Sequence, residues 1–485
     1  MIKQMNSIDK DFDVQIKDAT VIISCGVEIR DLPKSVKVYP PDPSVLPDRF
    51  DASDRILLIH PSNVNPPKNI IETVRERAVL ASVGDKTLYS VTQRCANNII
   101  DNLFNLHKAY IFTSTNGDTH KGVPAYIVGA GPSLDRNIAE LAKHQHNGMI
   151  LAVDAACGAL SKEYIQQDIT VTLENKGSSH YLTHNVSNHH SLMALDITTH
   201  PSHWEVPARN RTVICNNDPA YSEPIIRHGG VPISYGGSVS LVAFAMAYYM
   251  GCDPIIIVGN DYAYTDRRCY ARNTMWEEQT INRIKKEEIQ GDLIEFIGCP
   301  GRGRKKAINV IDAPAWGGTG TVETSHEMLT YRDWLSQMAR RCNVQVINAT
   351  EGGCHIDGVP DIPLATVNKM IGNLDYANRT YISPYTPTRI TKAECDEYIN
   401  DIEMRAKDCL QNASQAMRRP SLETVYDMRG SFNRLPILGA YMVRWALEYQ
   451  KRAEEMRPSD ALQTHIAALI KGCCRVIEHI ERGRK

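Results

Sequence analysis

The sequence predicts an α/β protein with a Rossmann-like, mostly parallel central sheet, a small N-terminal α/β domain and a helical C-terminal region. Three observations lead to this prediction. Apolar runs of four to five residues recur between about residues 123 and 360, helix-like segments separate several of them, and the chain has a helical pattern after about residue 390. Short, continuously apolar runs are typical of parallel strands covered on both faces. Because 485 residues are many for one hydrophobic core, we expect three domains, at residues 1–120, 121–375 and 376–485.

Composition excludes several classes of protein. The hydrophobic fraction of 42% and the charged fraction of 23% are those of an ordinary globular protein. A formal net charge of -2 provides no overall attraction to nucleic acid or to an acidic membrane. The polar N-terminus lacks the apolar stretch of a signal peptide, and no run approaches the ~20 apolar residues of a membrane-spanning helix. The 13 cysteines are scattered without a CxxC pair, so we expect a cytoplasmic protein with reduced thiols and no membrane partner.

The predicted elements follow one another in a simple order. In the first domain, ATVIISCGV and RILLIHP have the apolar continuity of buried strands, and NIIETVRERAVL has the pattern of a helix. In the middle domain, LDRNIAELAKH and SVSLVAFAMAYYM are helix-like segments between strands. This alternation predicts an open, doubly wound sheet, which binds ligands beyond the carboxyl ends of its strands. The seven predicted central strands are AYIVG, MILAV, ITVTL, LMALD, TVIC, PIIIV and VQVI.

The C-terminal region is predicted to consist of helices. Thr391 and Glu394 have the T-x-x-E spacing of a capping box. A second helix begins near Pro458 and carries an apolar stripe. This region suits a helical cap or a homo-oligomer interface better than a nucleic-acid interface. The stripe consists of Leu462, Ile466, Leu469, Ile470, Cys473, Ile477 and Ile480.

The strongest local motif is AYIVGAGPSLDRN, in which a strand leads through a glycine turn into a helix. Gly129 and Gly131 permit backbone torsions closed to other residues and a close approach to the amides. Pro132 stiffens the turn, and Ser133 is placed to cap the helix. Since helix N-termini attract phosphate, we predict that Gly129, Gly131, Pro132 and Ser133 bind a nucleotide. The dinucleotide fingerprint G-x-G-x-x-G lacks its third glycine here, and a plain tight turn is the alternative.

Further candidate residues follow other strands of the predicted sheet. Asp154 ends the next strand, where a ribose-binding acid is expected. Glu174 and Asn175 follow the strand ITVTL in the same sense. Gly237 and Ser238 form a second glycine turn before a helix, which suits a second anion or sugar site or simply a capped helix.

The strand PIIIV delivers a series of polar side chains at its carboxyl end. We expect Asn260 and Thr265 to contact the nucleotide. Asp261 is a candidate base or metal ligand, and Tyr264 is a candidate hydrogen-bond donor to a departing phosphate. A hydrogen-bonded turn without chemistry is the alternative.

Two histidines are weaker candidates for catalysis. His326 begins a helix, and His355 follows an apolar run. A single histidine is more often structural. No metal site can be assigned, because the histidines between 180 and 203 lack an HExxH pattern. The basic segment GRGRKK at 301–306 suits a solvated loop better than a phosphate clamp. Glu351, Gly352 and Gly353 are a polar residue and two glycines that again follow an apolar run, and Thr324 shortly precedes His326; they complete the candidate residues.

Five blocks of the sequence resemble a known family. These are NNIIDNL, VPAYIVGAGPSLDRNIAEL, ILAVDAA, GGSVSLVAFAMAYYMGCDPIIIVGNDYAYTD and INATEGGCHIDG. Over about residues 95 to 360, their order and spacing resemble the motility-associated-factor (Maf) glycosyltransferases, a domain type that includes archaeal 6-hydroxymethylpterin diphosphokinase-like proteins. The resemblance implies a domain related to bacterial sialyltransferases, in which positions 351 to 353 line the nucleotide site. It also implies transfer of a nonulosonic sugar from a CMP-activated donor to a macromolecular acceptor, a protein serine or threonine ahead of nucleic acid.

The chain departs from the family pattern at two places. Arg267 to Tyr270 occupy a stretch where the family commonly has a histidine, and Glu174 stands where an aspartate is usual. A glycosyltransferase with a nucleotide-sugar donor and no tightly bound cofactor is the leading hypothesis. An ATP-dependent hydroxymethylpterin pyrophosphokinase is an alternative, which would need Mg²⁺ on carboxylates such as Asp154 and Asp261. A phage-type DNA-modifying glycosyltransferase and a non-catalytic nucleotide-sugar-binding factor are the others.

Overall fold

The chain divides into two compact units, Met1–Ser90 and Val91–Lys485. The second unit therefore contains the predicted middle domain, the predicted helical region and the residues from 91 to 120. A computed structural model describes residues 2–6, 21–24, 36–42, 56–60, 70, 94–177, 190–215, 219–233, 237–277, 310–372, 388–419, 427–428, 437 and 458–484.

The first unit contains a four-stranded parallel sheet. Its order is β1-β4-β2-β3. Strands β2 and β4 coincide with the two predicted runs, and the side chains of β2 are mostly buried. Of the predicted helix NIIETVRERAVL, only Ile70 lies among the described residues. The strands are β1 (Ile2–Asn6), β2 (Val21–Ser24), β3 (Lys37–Tyr39) and β4 (Ile56–His60).

The second unit is built around an eight-stranded sheet in which every pair of neighbours is parallel. Its order is β14-β11-β6-β7-β8-β9-β10-β5. All seven predicted central strands are present, and the α/β prediction is confirmed. The strands of this unit are β5 (Tyr110–Ile111), β6 (Ala125–Val128), β7 (Met149–Val153), β8 (Ile169–Thr172), β9 (Leu192–Asp196), β10 (Asn210–Ile214), β11 (Ile255–Val258), β12 (Val310–Pro314), β13 (Thr321–Ser325) and β14 (Val346–Asn348).

Helices cover both faces of this sheet. Ile127 and Leu151 pack in one apolar cluster with helix α4, whereas their chain neighbours Val128 and Ile150 pack on the opposite face with helix α1. Burial on both faces explains why the strands are continuously apolar. The helices are α1 (Leu134–Lys143), α2 (Cys157–Lys162), α3 (Pro219–Arg227), α4 (Val239–Tyr249), α5 (His326–Arg341), α6 (Leu364–Ile371), α7 (Lys392–Arg418) and α8 (Pro458–Gly483).

The long helices α7 and α8 complete the core of the second unit. The capping box is confirmed at the start of α7, where the Glu394 N–H donates to Thr391 Oγ1 at 3.2 Å and the Thr391 N–H donates to Glu394 Oε2 at 2.7 Å. Within the predicted stripe of α8, four side chains are buried and two are partly buried in a cluster with α7 and the helix at 94–103. The buried ones are Ile466, Leu469, Cys473 and Ile480, the partly buried ones are Ile470 and Ile477, and the side chain of Leu462 lies outside the described residues. These helices therefore cap one end of the sheet. Across the described ranges, no helix combines the length and apolar character of a membrane span.

The strand order places a crevice between two loops that are distant in sequence. Strands β7 to β10 follow β6 in chain order on one side, whereas β11 and β14 lie on its other side. The loops after β6 and β11 therefore begin at the point where the chain changes direction across the sheet. Open α/β sheets bind ligands at this switch point, beyond the carboxyl ends of the strands.

Candidate active site

A cleft of about 740 Å³ lies at the switch point between β6 and β11. Its walls come from the loops after β6, β7, β8 and β11 and from the start of α4. The structure therefore brings together loops that the sequence marks separately as strand ends. The predicted site residues that line the cleft are Gly129, Gly131, Asp154, Glu174, Asn175, Gly237, Ser238, Asn260 and Asp261.

The first glycine turn uses its amides inside the protein. The Gly131 N–H donates to Gly259 O at 2.8 Å. The Ser133 N–H donates to Asp261 Oδ2 at 3.2 Å, and Ser133 Oγ donates to Asp261 Oδ1 at 2.6 Å. The prediction that Ser133 caps α1 with its side chain is wrong, because its hydroxyl is engaged by this carboxylate and makes no capping bond. The backbone amides of Gly131 and Ser133 are therefore not available to a phosphate in this arrangement.

The glycines of the turn are required by the neighbouring loops. A Cβ atom at Gly129 would lie 2.5 Å from Gly259 O, and one at Gly131 would overlap the Asp261 carboxylate. On the loop after β14, Gly353 has φ 73° and a Cβ there would overlap the backbone of Asp261. Close packing of protein against protein, not the approach of a ligand, therefore excludes a side chain at these positions.

Asn260 and Asp261 are buried, with 7% and 3% of their surfaces exposed. Asn260 Nδ2 donates to Ile127 O at 2.9 Å and to Val258 O at 3.0 Å, and so joins β6 to β11. Burial raises the pKa of Asp261 above its usual range, against the lowering effect of the hydrogen bonds from Ser133. Both side chains therefore organise the floor of the cleft.

Asp154 stands at the end of β7, where the ribose-binding acid is expected. Its Oδ1 accepts the Ala155 N–H at 2.7 Å and its Oδ2 accepts the Thr172 hydroxyl at 2.6 Å. Burial raises the pKa of Asp154 to about 6, and the nearby Glu174 adds to this effect. The carboxyl group is thus fixed in orientation beside the cleft and changes charge near neutral pH.

The second glycine turn opens into the cleft at the N-terminus of α4. Gly237 has φ 91°, and Ser238 is the N-cap residue without a side-chain capping bond. The hydroxyls of Ser238 and Ser240 lie 3.2 Å apart, and Ser240 Oγ lies 3.4 Å from the Tyr262 hydroxyl. Helix α4 is buried along most of its length, so the positive end of its dipole faces the cleft in a poorly solvated setting. The preceding Tyr235 and Gly236 lie outside the described residues.

Aromatic side chains form a wall of the cleft that sequence reasoning missed. Tyr262, Tyr270, Trp276 and Tyr331 all line it. The rings of Tyr270 and Trp276 are stacked, with 6.4 Å between centroids and 29° between planes. Three of these residues, Tyr262, Tyr270 and Trp276, follow β11 and lie within fifteen positions of one another, and this clustering could have indicated an aromatic wall. Nothing in the sequence around Tyr331 indicates its place in the cleft, because only the folded structure brings α5 there.

A ladder of hydrogen bonds from the helix at 94–103 holds the rim of the cleft. Arg94 Nη1 donates to Asn175 Oδ1 at 2.9 Å, and Asn98 Nδ2 donates to Asn175 O at 2.9 Å. One turn further along, Asn102 Nδ2 donates to the carbonyl oxygens of Ile197 and Thr199, each at 2.7 Å. Because Asn175 lines the cleft, this helix fixes the loop after β8.

With this geometry established, comparison with known proteins identifies the region that carries the cleft. Residues 97–267 match the family described as 6-hydroxymethylpterin diphosphokinase MptE-like. This segment matches an MptE-like domain. The fold resembles the structure of MAf glycosyltransferase from Magnetospirillum magneticum AMB-1, with a TM-score of 0.57 and 14% identity over 89% of this chain and 65% of that chain. No curated protein matches the chain.

The two comparisons confirm the resemblance drawn from the five sequence blocks. At 14% identity, the similarity to the MAf glycosyltransferase concerns the fold. The chain spans about 65% of the length of that protein. Most walls of the cleft, from Gly129 to Tyr262, lie inside the MptE-like segment, whereas Trp276 and Tyr331 lie beyond it.

Five predicted site residues line a second hollow of about 550 Å³ instead of the cleft. This hollow lies between the end of the MptE-like segment, the β12–β13 hairpin and the loop after β14. Arg136 crosses it, with an ion pair to Asp266 at 2.8 Å. The antiparallel hairpin was not predicted, because β12 is mostly exposed and ends in a proline, and β13 is mostly polar. The five residues are Tyr264, Thr265, Glu351, Gly352 and Gly353.

The remaining predicted site residues line neither space. His326 is exposed at the start of α5, which is capped by the preceding serine. His355 Nδ1 lies 2.6 Å from Asp361 Oδ2, so this ring is fixed by a neighbouring carboxylate. Thr324 is buried and donates to Tyr262 O at 2.6 Å, and Pro132 is buried in the first turn. A catalytic role for either histidine therefore finds no support in the described geometry.

The described residues contain no group of three or more His, Cys, Asp or Glu side chains arranged to hold a metal ion. Asp154 and Asp261, the carboxylates considered for Mg²⁺, each lie in hydrogen-bond networks of their own. The histidines from 180 to 189 and the segment GRGRKK lie outside the described residues.

Proposed function

We propose that this protein is a glycosyltransferase that binds a nucleotide-activated sugar in the cleft and transfers the sugar to a hydroxyl group of a macromolecule. One observation carries the proposal: a cleft of about 740 Å³ sits at the switch point of a parallel sheet, between a buried acid and an aromatic wall. Ligand sites of small molecules span about 300 to 1,000 Å³. A nucleotide sugar is a ligand of suitable size for such a space.

The phosphate of the donor is assigned to the turn before α4. The first glycine turn is filled by Asp261, whereas the α4 turn presents its N-terminus and two serine hydroxyls, Ser238 and Ser240, to the cleft. Helix N-termini with free amides favour anions. The Tyr262 hydroxyl is near enough to Ser240 to donate to the leaving phosphate as charge develops on it.

The nucleoside is assigned to the opposite wall. Asp154 is placed to accept a ribose hydroxyl, as the acid after the second strand does in dinucleotide-binding folds. The stacked pair Tyr270 and Trp276 offers a flat surface to the base. The sugar is proposed to be a nonulosonic acid carried by CMP, and the acceptor a protein serine or threonine. The five resembling sequence blocks and the fold similarity to the MAf glycosyltransferase support this choice.

A binding experiment tests the nucleotide site. The melting temperature is measured with CMP, UDP, GDP and ATP, each with and without Mg²⁺, because a ligand at 100 times its Kd stabilises the native state by ~2.7 kcal/mol. We expect CMP to stabilise the protein without metal. We also expect release of CMP from a CMP-linked nonulosonic sugar, measured by chromatography. Failure of every nucleotide to raise the melting temperature would overturn the proposal.

Two variants test the assigned residues. Tyr270→Ala removes the stacking surface and is expected to raise the Kd of CMP about 10-fold, since a base stacked on an aromatic ring contributes ~1–3 kcal/mol. Ser238→Ala removes one donor to the phosphate and is expected to raise it ~5-fold. Ser114→Ala, at an exposed serine outside the cleft, is the control and should bind as the unaltered protein does. Calorimetric Kd values for both cleft variants equal to the control would remove these roles.

The MptE-like match favours a second candidate, a pyrophosphokinase that moves diphosphate from ATP to a hydroxymethylpterin. Such a reaction needs Mg²⁺ with the nucleotide. Stabilisation by ATP and Mg²⁺ but not by CMP, together with AMP formation in the presence of the pterin, would establish this function in place of the first.

A further inference from the structure

Three loops of the second unit meet at one residue, Asp261. The loop after β6 places Gly131 and Ser133 against its carboxylate, and the loop after β14 places Gly353 against its backbone. The Cys354 N–H donates to Asp261 O at 2.8 Å. Only glycine fits at positions 131 and 353, because a Cβ atom at Gly131 or Gly353 would overlap Asp261.

The carboxylate stands where a glycine turn usually holds a phosphate. It accepts the N–H and the hydroxyl of Ser133, the residue that precedes α1. An anion at a helix N-terminus is stabilised by the unpaired amides and the helix dipole. Hydrogen bonds to an ionised acceptor are roughly twice as strong as neutral ones. A residue of the protein therefore occupies the anion position of its own turn.

This arrangement differs from that of a general base. A base must reach the proton that it removes, yet both oxygens of Asp261 are engaged by Ser133 and the side chain is 3% exposed. The same contacts suit a group that fixes the relative positions of three loops.

We propose that Asp261 is a positioning residue whose carboxylate serves as the built-in anion of the α1 turn and locks the loops after β6, β11 and β14 into the floor of the cleft. The inference rests on the proposed function only where it concerns the effect of Asp261 on sugar transfer. The closure of the α1 turn by Asp261 is tested in the protein without any sugar donor. The donor phosphate is then directed to the α4 turn, because the α1 turn is already filled.

Thermal unfolding tests the closed turn. Asp261→Asn keeps the shape but places an amide N–H₂ group against one of the two Ser133 donors, and Ser133→Ala removes one donor. Each is expected to lower the melting temperature by ~5 °C, since a lost hydrogen bond to a buried charged group costs ~1.5–3 kcal/mol and more when a partner is left unpaired. The double variant is expected to lose clearly less than the sum. Glu174→Gln, at another carboxylate of the cleft, is the control. Additive losses, or losses no larger than the control, would overturn the inference.

Rescue by inorganic phosphate is the second test. Asp261→Gly removes the built-in anion and opens the α1 turn. Potassium phosphate is expected to raise the melting temperature of this variant by several degrees more than it raises that of the unaltered protein, because a bound anion stabilises only the opened turn. Equal shifts in both proteins would contradict the assignment. If Asp261→Gly does not fold, the same titration of Asp261→Asn and the Ser133→Ala comparison decide the question.

Transfer kinetics separate positioning from proton abstraction. For a positioning residue, Asp261→Asn and Ser133→Ala both raise KM for the donor, and the pH profile of kcat keeps its shape. For a base, Asp261→Asn alone abolishes kcat and removes the acidic limb of the profile. Failure of the proposed transferase function would leave the two stability tests intact, so the two failures can be told apart.

Discussion

At the residue scale, the site is defined by groups that are polar, buried and already bonded within the protein. Asp154, Asn260 and Asp261 each lie at the end of a strand of the sheet, and each uses its side chain to bind a neighbouring loop or strand. Buried polar groups of this kind are costly unless bonded, so their bonds fix the loops with little freedom. A ligand therefore meets a preformed surface.

Asp154 makes stability depend on pH. Burial raises its pKa to about 6 from an ordinary value of 3.8, so the native state binds the proton more tightly than the unfolded state does. Its contribution to stability is complete below about pH 3.8 and is lost as pH rises through about 6. The loss is on the order of 3 kcal/mol by pH 7.

The variant Asp154→Asn tests this dependence. Its free energy of unfolding, measured by urea denaturation, is expected to change less between pH 4 and pH 7 than that of the unaltered protein. Asp168, whose pKa burial also raises to about 6, is retained in both proteins and serves as the internal reference. Identical pH dependence of the two proteins would show that Asp154 titrates normally.

The sequence identified most of these residues but not always their role. The glycine turn at 129–133 was found because two glycines follow an apolar strand. The glycines are required for a reason other than the predicted one, because the space beside them is occupied by Gly259 and Asp261 and not by a ligand. A single sequence does not reveal which loop fills such a space, since that depends on strand order.

At the scale of elements, a single helix and its polar residues decide the position of a cleft wall. The helix at 94–103 presents Asn98 and Asn102, four residues apart, on the same face. Both are buried and both donate to backbone carbonyls of loops that follow strands of the sheet. Asn102 Oδ1 also accepts the Trp204 Nε1–H at 2.7 Å. The ladder thus joins the helix at 94–103 to the loops after β8 and β9, the first of which forms the rim of the cleft.

Removal of one member of this ladder is expected to be costly. Asn102→Ala leaves two buried carbonyls and one indole N–H without this partner, which costs ~3 kcal/mol in the free energy of unfolding. Asn105→Ala, three residues later at a partly exposed site, is the matched control and should cost less than ~1 kcal/mol. Chemical denaturation measures both. Equal costs would mean that the ladder does not stabilise the rim.

Sequence patterns predicted the strands that are buried on both faces of the sheet, and they missed the strands that are short or partly exposed. All seven apolar runs became strands because both sheet faces are covered. The two-residue edge strand β5 and the partly exposed hairpin β12–β13 carry no comparable signal. Tyr331 could not be found either, because its place in the cleft follows from the packing of α5.

At the scale of the whole molecule, the core of the second unit includes its C-terminal helices. The described residues that line the cleft all belong to this unit. Ile399 on α7 and Leu469 on α8 are buried in the same cluster as Ile99 and Leu103. The C-terminal helices are therefore part of the folding unit that carries the cleft.

Two truncated chains test this division. A chain that begins at Val91 is expected to bind CMP with a Kd within about twofold of the full chain, because it keeps every described residue that lines the cleft. A chain that ends at residue 390 lacks α7 and α8 and is expected to aggregate, since each uncovered Ile or Leu side chain costs ~1.5–3 kcal/mol. Calorimetry and gel filtration measure the two outcomes. A stable, monomeric chain ending at 390 would show that the cap is dispensable.

The insertion of β11 beside β6 also bears on how the protein acquires its site during synthesis. A ribosome that has released only β6 to β10 has produced five consecutive strands of the sheet, yet the turn at Gly131 still lacks the carboxylate that closes it. From the end of β10 at Ile214, 47 further residues must emerge before Asp261 arrives behind β11. During that part of its synthesis, the nascent chain carries the α1 turn without the side chain that closes it in the folded protein.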